Sequence, residues 1–368
     1  MAAVVTPPPS PSIPSPLLQP TLAGRRLPAY ALPLTALVTA AVTLLLFATT
    51  GFQGIADFLV VFVVLHLIAQ STLSFTIEGR RRAADRLVTT LVYVAFALAA
   101  LPLGLIVWFT VKQGIGAISP TFLTHSMFRV DPEGPGGGIY HAIVGTLIQS
   151  LLATAIAAPV GVLAAIYLVE YGGRRPLARA VSFFVDVMTG VPSIVAGLFV
   201  FSFFLIGLGF KTSGFAGSLA LFILMLPIVI RSTEEMLRLV PNDLREASYA
   251  LGVPKWRTIL RIVVPTALGG IVTGVMLGVA RIAGETAPLL LLVGTNQKIV
   301  FNPFSGRSEP NAQASLPTYI YEQFGVAVGN THAPAFQRAW GAALVLIVII
   351  GLLNLIARFV ARFARVQG

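Results

Sequence analysis

At 368 residues the chain has room for two or three soluble domains, yet 56% of it is hydrophobic, only 11% is charged and its mean hydropathy is +0.87, against roughly 25% charged residues in soluble domains. That composition excludes an ordinary soluble enzyme and assigns the length to membrane spans. The net charge of +11 does not read as a nucleic-acid footprint, because the basic residues fall in short clusters between apolar runs, and the lack of cysteine excludes disulfides, thiol chemistry and cysteine-rich metal sites.

The first 24 residues hold seven prolines and three serines, with neither a basic start nor a short apolar segment. Residues 1–29 therefore read as a disordered cytoplasmic tail rather than a signal peptide. Apolar runs of about 20 residues, the length that spans a bilayer, then recur at 30–51, 55–77, 87–110, 139–169, 180–209, 215–232, 267–292 and 339–360. The sequence thus predicts an all-α polytopic membrane protein with eight spanning helices. His66 and Asp57 fall in the first hairpin, residues 30–78, where packing or an interfacial place is the plain reading and a proton relay the alternative. Asp186 opens the fifth run and suits a helix N-terminus. Pro192, beside Gly190 and Ser193, predicts a kink in that run, as a packing device or a gate.

Orientation follows from the loops, since Lys and Arg gather on the cytoplasmic side of short connections. With the N-terminus inside, 18 of the 25 basic residues fall in cytoplasmic segments and six outside, leaving Arg281 alone within a span. Both termini are expected to be cytoplasmic.

The sixth and seventh runs are joined by more than a polar turn. Pro241, Asn242 and Asp243 supply helix-start chemistry, Gly252 suits the left-handed conformation that ends a helix, and Pro254 suits the first turn of the next. Residues 241–265 therefore predict a helical elbow whose apolar Leu251, Trp256 and Ile259 would plug a partner's groove; an amphipathic pair lying on the membrane surface is the alternative.

Glu246-Ala247-Ser248, followed by Gly252, Ile262 and Val264-Pro265, resembles the coupling loop of the binding-protein-dependent ABC importer permeases, with Ser248 where that pattern has a second Ala and Val264 where it has Leu. The resemblance implies that Glu246, Ala247, Ser248, Gly252, Trp256 and Pro265 belong to a loop that docks on an ATPase subunit. Wider similarity to the phosphate permeases of the family runs from about residue 87 to the C-terminus. It is carried by Gly134 to Gly138, Ile166 to Gly172, Val191 to Leu198 and, most strongly, Ala280 to Leu290. The fold it implies is the type I ABC importer permease, with a six-helix core in a domain at 79–368 and two added N-terminal helices at 30–78. The assembly it implies contains a second homologous permease subunit, two ATPase subunits that hold the ATP and Mg, and an external phosphate-binding protein. This chain itself would hold no cofactor and no metal.

Within the strongest stretch, Arg281 and Glu285 share one helix face. A charge at mid-membrane costs about 2.5–3.5 kcal/mol on insertion scales and marks a pathway, a site or an ion pair. A structural pair is one reading; the other sets Arg281, with Glu285, Thr286 and Ser193, along the path of an oxyanion that the guanidinium fork would bind. Sulfate, molybdate or another small solute remains an alternative cargo. No phosphate-cradling glycine loop with its Lys and no His-Glu-x-x-His metal pair occurs, so the energy of transport comes from elsewhere. A secondary transporter, the rival class, would carry inverted repeats and intramembrane carboxylates or histidines.

Overall fold

The computed structural model describes residues 26–28, 30–51, 54–173, 175–304 and 313–366, and these contain helices and no strand; the tail expected at 1–29 lies almost wholly outside them. Among the described residues seven helices are long and apolar enough to cross a membrane: α1 (Ala31–Thr50), α2 (Ile55–Glu78), α3 (Arg80–Gly114), α5 (Tyr140–Ile166), α8 (Gly214–Arg238), the rod Lys255–Ala283 and α14 (Pro334–Val366). The fifth predicted span is a bent pair, α6 (Pro176–Thr189) and the segment Ser193–Gly207, turned by 109°. Pro192 predicts a kink; the structure shows a right-angled break, because Gly190 and Val191 leave the helix before Pro192 starts the next one. The described residues divide after Ile106 into two compact units.

Helix limits differ from the apolar runs in a consistent direction. α3 begins at Arg80 and α8 runs on to Arg238, since hydropathy marks the lipid-facing part of a helix and backbone hydrogen bonding continues past it. The seventh run is the larger correction. It starts at Lys255, passes through α10 (Lys255–Thr258), a π-helical turn at Ile259–Val263 and α11 (Val264–Ala283), and then stops; Ala287–Leu292 forms a separate short helix, α12. The widened turn sits where Pro265 lacks an N–H for the carbonyl four residues back, which a regular α-helix would leave strained.

In the second unit, α5, α7 (Ser193–Val200), α8, α11 and α12 enclose a central core built on Ala153, Ala157, Leu221, Met225, Val229, Ile282 and Leu292. Buried Phe122, Met127, Ile139, Leu316 and Tyr319 form a second cluster, which includes α13 (Leu316–Val326). A third, with Val185, Ile230, Leu237, Val263 and Ile271, lies between α6, α8 and α11. In lipid, association rests on close packing of small residues rather than on burial from water. Gly270, Gly274 and Gly278, one turn apart on α11, meet Met236, Ser232 and Met225 of α8, and a Cβ on Gly274 would stand 2.2 Å from the Ser232 Oγ. Gly274→Val should therefore destabilise the subunit by about 1–3 kcal/mol through overpacking, read as a lowered midpoint of thermal unfolding in detergent. Gly351→Ala, where nothing lies within 4 Å, should leave the midpoint unchanged or raised.

Candidate functional site: the elbow and two helix breaks

The predicted elbow is present as α9 (Asn242–Ala250) followed by α10. Gly252, at φ 74°, makes the left-handed turn between them, a conformation that strains any residue with a Cβ. Ser248 and Thr258, 4% and 0% exposed, share a hydrogen bond of 2.8 Å that fastens α9 to α10. Glu246 and Ala247 lie on the exposed face. Leu251 and Trp256 project at 83% and 54% exposure, with the Arg257 guanidinium over the Trp256 ring, but Ile259 is 2% exposed and packs inward, so it is no part of the outward plug. Pro265 is exposed on the first turn of α11, away from the elbow's tip.

Three residues that sequence reasoning passed over hold the elbow in place. Beyond α5 the chain makes a π-helical turn, Tyr167–Gly172. Glu170 on this turn accepts from Arg245 Nη2 at 2.8 Å and Nε at 3.1 Å, and Arg245 also donates to the Leu237 and Val240 carbonyls at 2.9 and 2.6 Å. Lys255 donates to the Glu170 carbonyl and stands 4.9 Å from the Tyr171 ring centroid. Glu170 and Arg245 are 5% and 12% exposed, and a forked arginine–carboxylate pair so placed fixes an angle as well as a distance. The signal was present in the sequence as a carboxylate just past an apolar run and an arginine inside the loop motif.

The four substrate-path candidates lie at the two helix breaks. Arg281 occupies the last turn of α11, where a cation suits the helix C-terminus, and pairs with Glu285 just beyond it. The guanidinium side chain is 58% exposed and the carboxylate 7%, so the acid is held inward and the base faces the open side. Ser193 begins α7, Thr286 precedes α12, and these two helices pack so closely that a Cβ on Gly197 would stand 2.8 Å from the Pro288 Cα. The breaks thus share one region of the fold, although among the described residues no hydrogen bond joins Ser193 or Thr286 to the ion pair.

Asp186 is corrected by the same break: it lies near the C-terminal end of α6, where the dipole disfavours it. Arg231 of α8 compensates by pairing with Asp186, with the Ser182 hydroxyl at 2.9 Å and with Glu234 at 2.6 Å. The glycine stretch 134–138 is held in place by one buried side chain. Buried Arg338, 4% exposed, donates to the Gly134 and Gly136 carbonyls at 2.8 and 3.1 Å, to the Pro132 carbonyl and to Gln323 Oε1 at 2.7 Å. Beside it, burial raises the Tyr319 phenol against the opposing pull of the Arg338 charge, and burial also raises the Glu322 carboxyl.

Long apolar helices, an exposed helical elbow and a charged pair at an intramembrane helix break together define a membrane permease component. The sequence pattern of the family described as "Binding-protein-dependent transport system inner membrane component" matches residues 157–365, and the chain belongs to that family. Its near relatives are PstA proteins: "Phosphate transport system permease protein PstA 1" of Mycobacterium tuberculosis is 49% identical over 286 residues, 77% of this chain and 91% of that protein. The Yersinia pestis "Phosphate transport system permease protein PstA" is 39% identical over 286 residues, 76% of this chain and 92% of that protein. In fold, the chain is similar to the crystal structure of a bacterial alginate ABC transporter in complex with alginate pentasaccharide-bound periplasmic protein, with a TM-score of 0.51 at 17% identity over 77% of this chain and 95% of that one.

The fastening of the elbow is testable by a double-mutant cycle. Ser248→Val and Thr258→Val should each destabilise by about 1–3 kcal/mol, because one buried hydroxyl is left unpaired. The double variant should lose less than the sum of the two. Additive losses in thermal unfolding would show that the bond does not hold α9 to α10.

Proposed function

We propose that this chain is a membrane permease subunit of an ATP-driven phosphate importer, that it forms part of the translocation path, and that it takes its energy from ATPase subunits docked on the elbow. The observation that carries this reading is the continuity of one helix. Within Lys255–Ala283, 29 residues long, about 39 Å of helix at 1.5 Å per residue runs from the clamped elbow to Arg281. A movement imposed on Glu246, Leu251 and Trp256 is delivered at the Arg281–Glu285 pair without a hinge other than the π-helical turn. PstA relatives covering three quarters of the chain support phosphate as the cargo.

The remaining parts follow from this reading. The elbow and the Lys- and Arg-rich segments face the cytoplasm with both termini, and the membrane is the bacterial inner membrane. Two ATPase subunits hold the ATP and Mg, a second homologous permease subunit completes the path, and an external phosphate-binding protein delivers the anion. The chain itself is non-catalytic. Residues 30–78 form an accessory hairpin that precedes the permease domain, 79–368, in the chain.

At the path, Arg281 offers its fork to the anion. Inorganic phosphate has three ionisable hydroxyls and, unlike a phosphomonoester, still carries at least one proton after its second ionisation near neutral pH. It therefore bridges the pair by accepting from Arg281 and donating to Glu285. Sulfate has no proton to give and meets Glu285 as an unpaired like charge.

Reconstituted with its partners, the complex should take up phosphate and not sulfate on ATP addition. Glu246→Lys should leave the membrane core folded while ATP hydrolysis no longer drives uptake; wild-type uptake by that variant would rule out docking at the elbow. Arg281→Ala should abolish uptake with the subunit still inserted. Glu285→Gln should improve sulfate's competition by roughly fivefold or more, the value of about 1 kcal/mol or more for an unpaired polar contact. Unchanged discrimination, with assembly lost in Arg281→Ala, would make the pair a structural one.

A further inference from the structure

The first compact unit contains a polar cavity that the transport path does not use. His66, Gln70, Ser74 and Glu78 recur every four residues along α2, a slowly winding stripe on one helix face. Glu78, whose side chain is 1% exposed, accepts from the Leu27 N–H at 2.8 Å, from the Ser74 hydroxyl at 2.9 Å and from both Arg86 Nη2 and Nε, at 2.8 and 2.6 Å. Higher up, buried Gln70 accepts from the Thr90 hydroxyl of α3 at 3.1 Å, and His66 Nδ1 lies 3.4 Å from Thr39 Oγ1 of α1.

Polar side chains within a span often serve only to tie helices together, but helices tied for that purpose close on one another. Here the stripe borders an open cavity of about 610 Å³, lined by Arg26, Arg82 and Arg86 against Glu78 and Asp85, with His66, Gln70 and Thr90 at its inner end. From Glu78 to His66 it reaches about 18 Å along α2 at 1.5 Å per residue. The lining carries an excess of one positive charge, and Glu78, saturated with donors, is closed to further cations. A ligand that suits it has a singly charged oxyanion for the arginine end and hydroxyl groups for the amide, imidazole and hydroxyl end. Arg26 precedes α1, and Arg82 and Arg86 lie in the first two turns of α3; basic clusters flanking a membrane span attract anionic lipid.

We propose that the cavity between α1, α2 and α3 is a binding site for a phosphate group, presented by a hydroxyl-bearing anionic phospholipid headgroup or by free phosphate. The accessory hairpin thereby holds a ligand of its own, separate from the transported anion.

The test uses the full chain and six proteins: wild type, Arg26→Gln/Arg82→Gln and Arg80→Gln/Arg81→Gln, and the same three with Arg281→Ala added. The first pair of substitutions leaves the Glu78–Arg86 contact intact; the second removes the same charge outside this cavity. Native mass spectrometry should find phosphatidylglycerol retained over phosphatidylcholine by the wild type. Retention should fall at least fivefold in Arg26→Gln/Arg82→Gln and little in Arg80→Gln/Arg81→Gln, with equal helicity by circular dichroism. Equilibrium dialysis with inorganic phosphate, in the Arg281→Ala background so that the transport path is disabled, reads the second source through the same two pairs. Loss on either arm confined to the Arg26/Arg82 pair supports the site and names its ligand. An equal loss in both pairs reduces it to general attraction by a basic cluster, and no loss on either arm overturns it. If the Arg26/Arg82 pair lowers helicity, Arg82→Gln alone is read by the same criteria.

Discussion

The close approach of α7 to α12, Gly197 against Pro288, is the contact on which the second unit depends. A chain in lipid must satisfy its backbone hydrogen bonds internally, so helix ends at membrane depth survive only where protein covers them or where they line a polar space. Within the apolar part of the described residues the helices break at Gly190–Pro192 and at Gly284–Thr286. Packing α7 on α12 lets each break cover the other. The central core then closes around them, with Val200, Phe204, Leu289 and Leu292 buried together, and the charged pair at the end of α11 is left at the margin of that core, its acid inside and its base outside. Broken helices placed side by side are how membrane transporters bring helix termini to a solute, and here the physical reason for the pairing is visible in a single glycine.

Much of this was legible before the structure, because two periodicities carried it. Apolar runs located the seven membrane-length helices among the described residues and the bent pair, and the Pro–Asn–Asp start and Gly252 turn located the elbow down to its left-handed residue. What could not be read was how far a helix continues once its lipid-facing stretch ends. Arg80 and Arg238 are helical because neighbouring turns hold them, which hydropathy does not report. The break after Ala283 was missed although Gly284, Thr286 and Pro288 are the residues that end and restart helices; the surrounding leucines made one continuous apolar run of it. Arg338 was counted as an external charge. Its burial against three carbonyls of the segment 132–136 depends on residues about two hundred positions away, a contact that no local pattern encodes.

Charge placement follows one rule through both units: a carboxylate inside a helix bundle is held by an arginine close by, and the arginine reaches onward to something else. Glu78 holds Arg86, whose helix lines the polar cavity. Glu234 holds Arg231, which ties α8 to Ser182 and Asp186 of α6. Glu170 holds Arg245, which gathers the last carbonyls of α8. A buried ion pair is weak evidence for stability, since desolvation offsets much of the attraction, but it sets a geometry that apolar packing leaves free to slide. In lipid, where burial from water supplies no driving force between helices, fixing geometry is the more valuable property.

The Glu170–Arg245 clamp has a mechanical consequence that the others do not. It joins the elbow to the far end of α5, while the rod from Lys255 joins the same elbow to Arg281. A push on Leu251 or Trp256 therefore has two outlets, α5 by way of a forked ion pair and α11 by way of a covalent helix. Both helices pack along α8 at glycines, Gly161 against Val229 and Gly274 against Ser232, with Met236 and Met225 seated over Gly270 and Gly278. Both paths also begin in a π-helical turn, Tyr167–Gly172 and Ile259–Val263, the one local geometry in each helix whose hydrogen bonds can shift register without breaking the helix. On the proposed reading, stiff links at the elbow, close glycine contacts along α8 and compliant turns between them are the combination that would pass a displacement to the Arg281–Glu285 pair rather than dissipate it near the elbow.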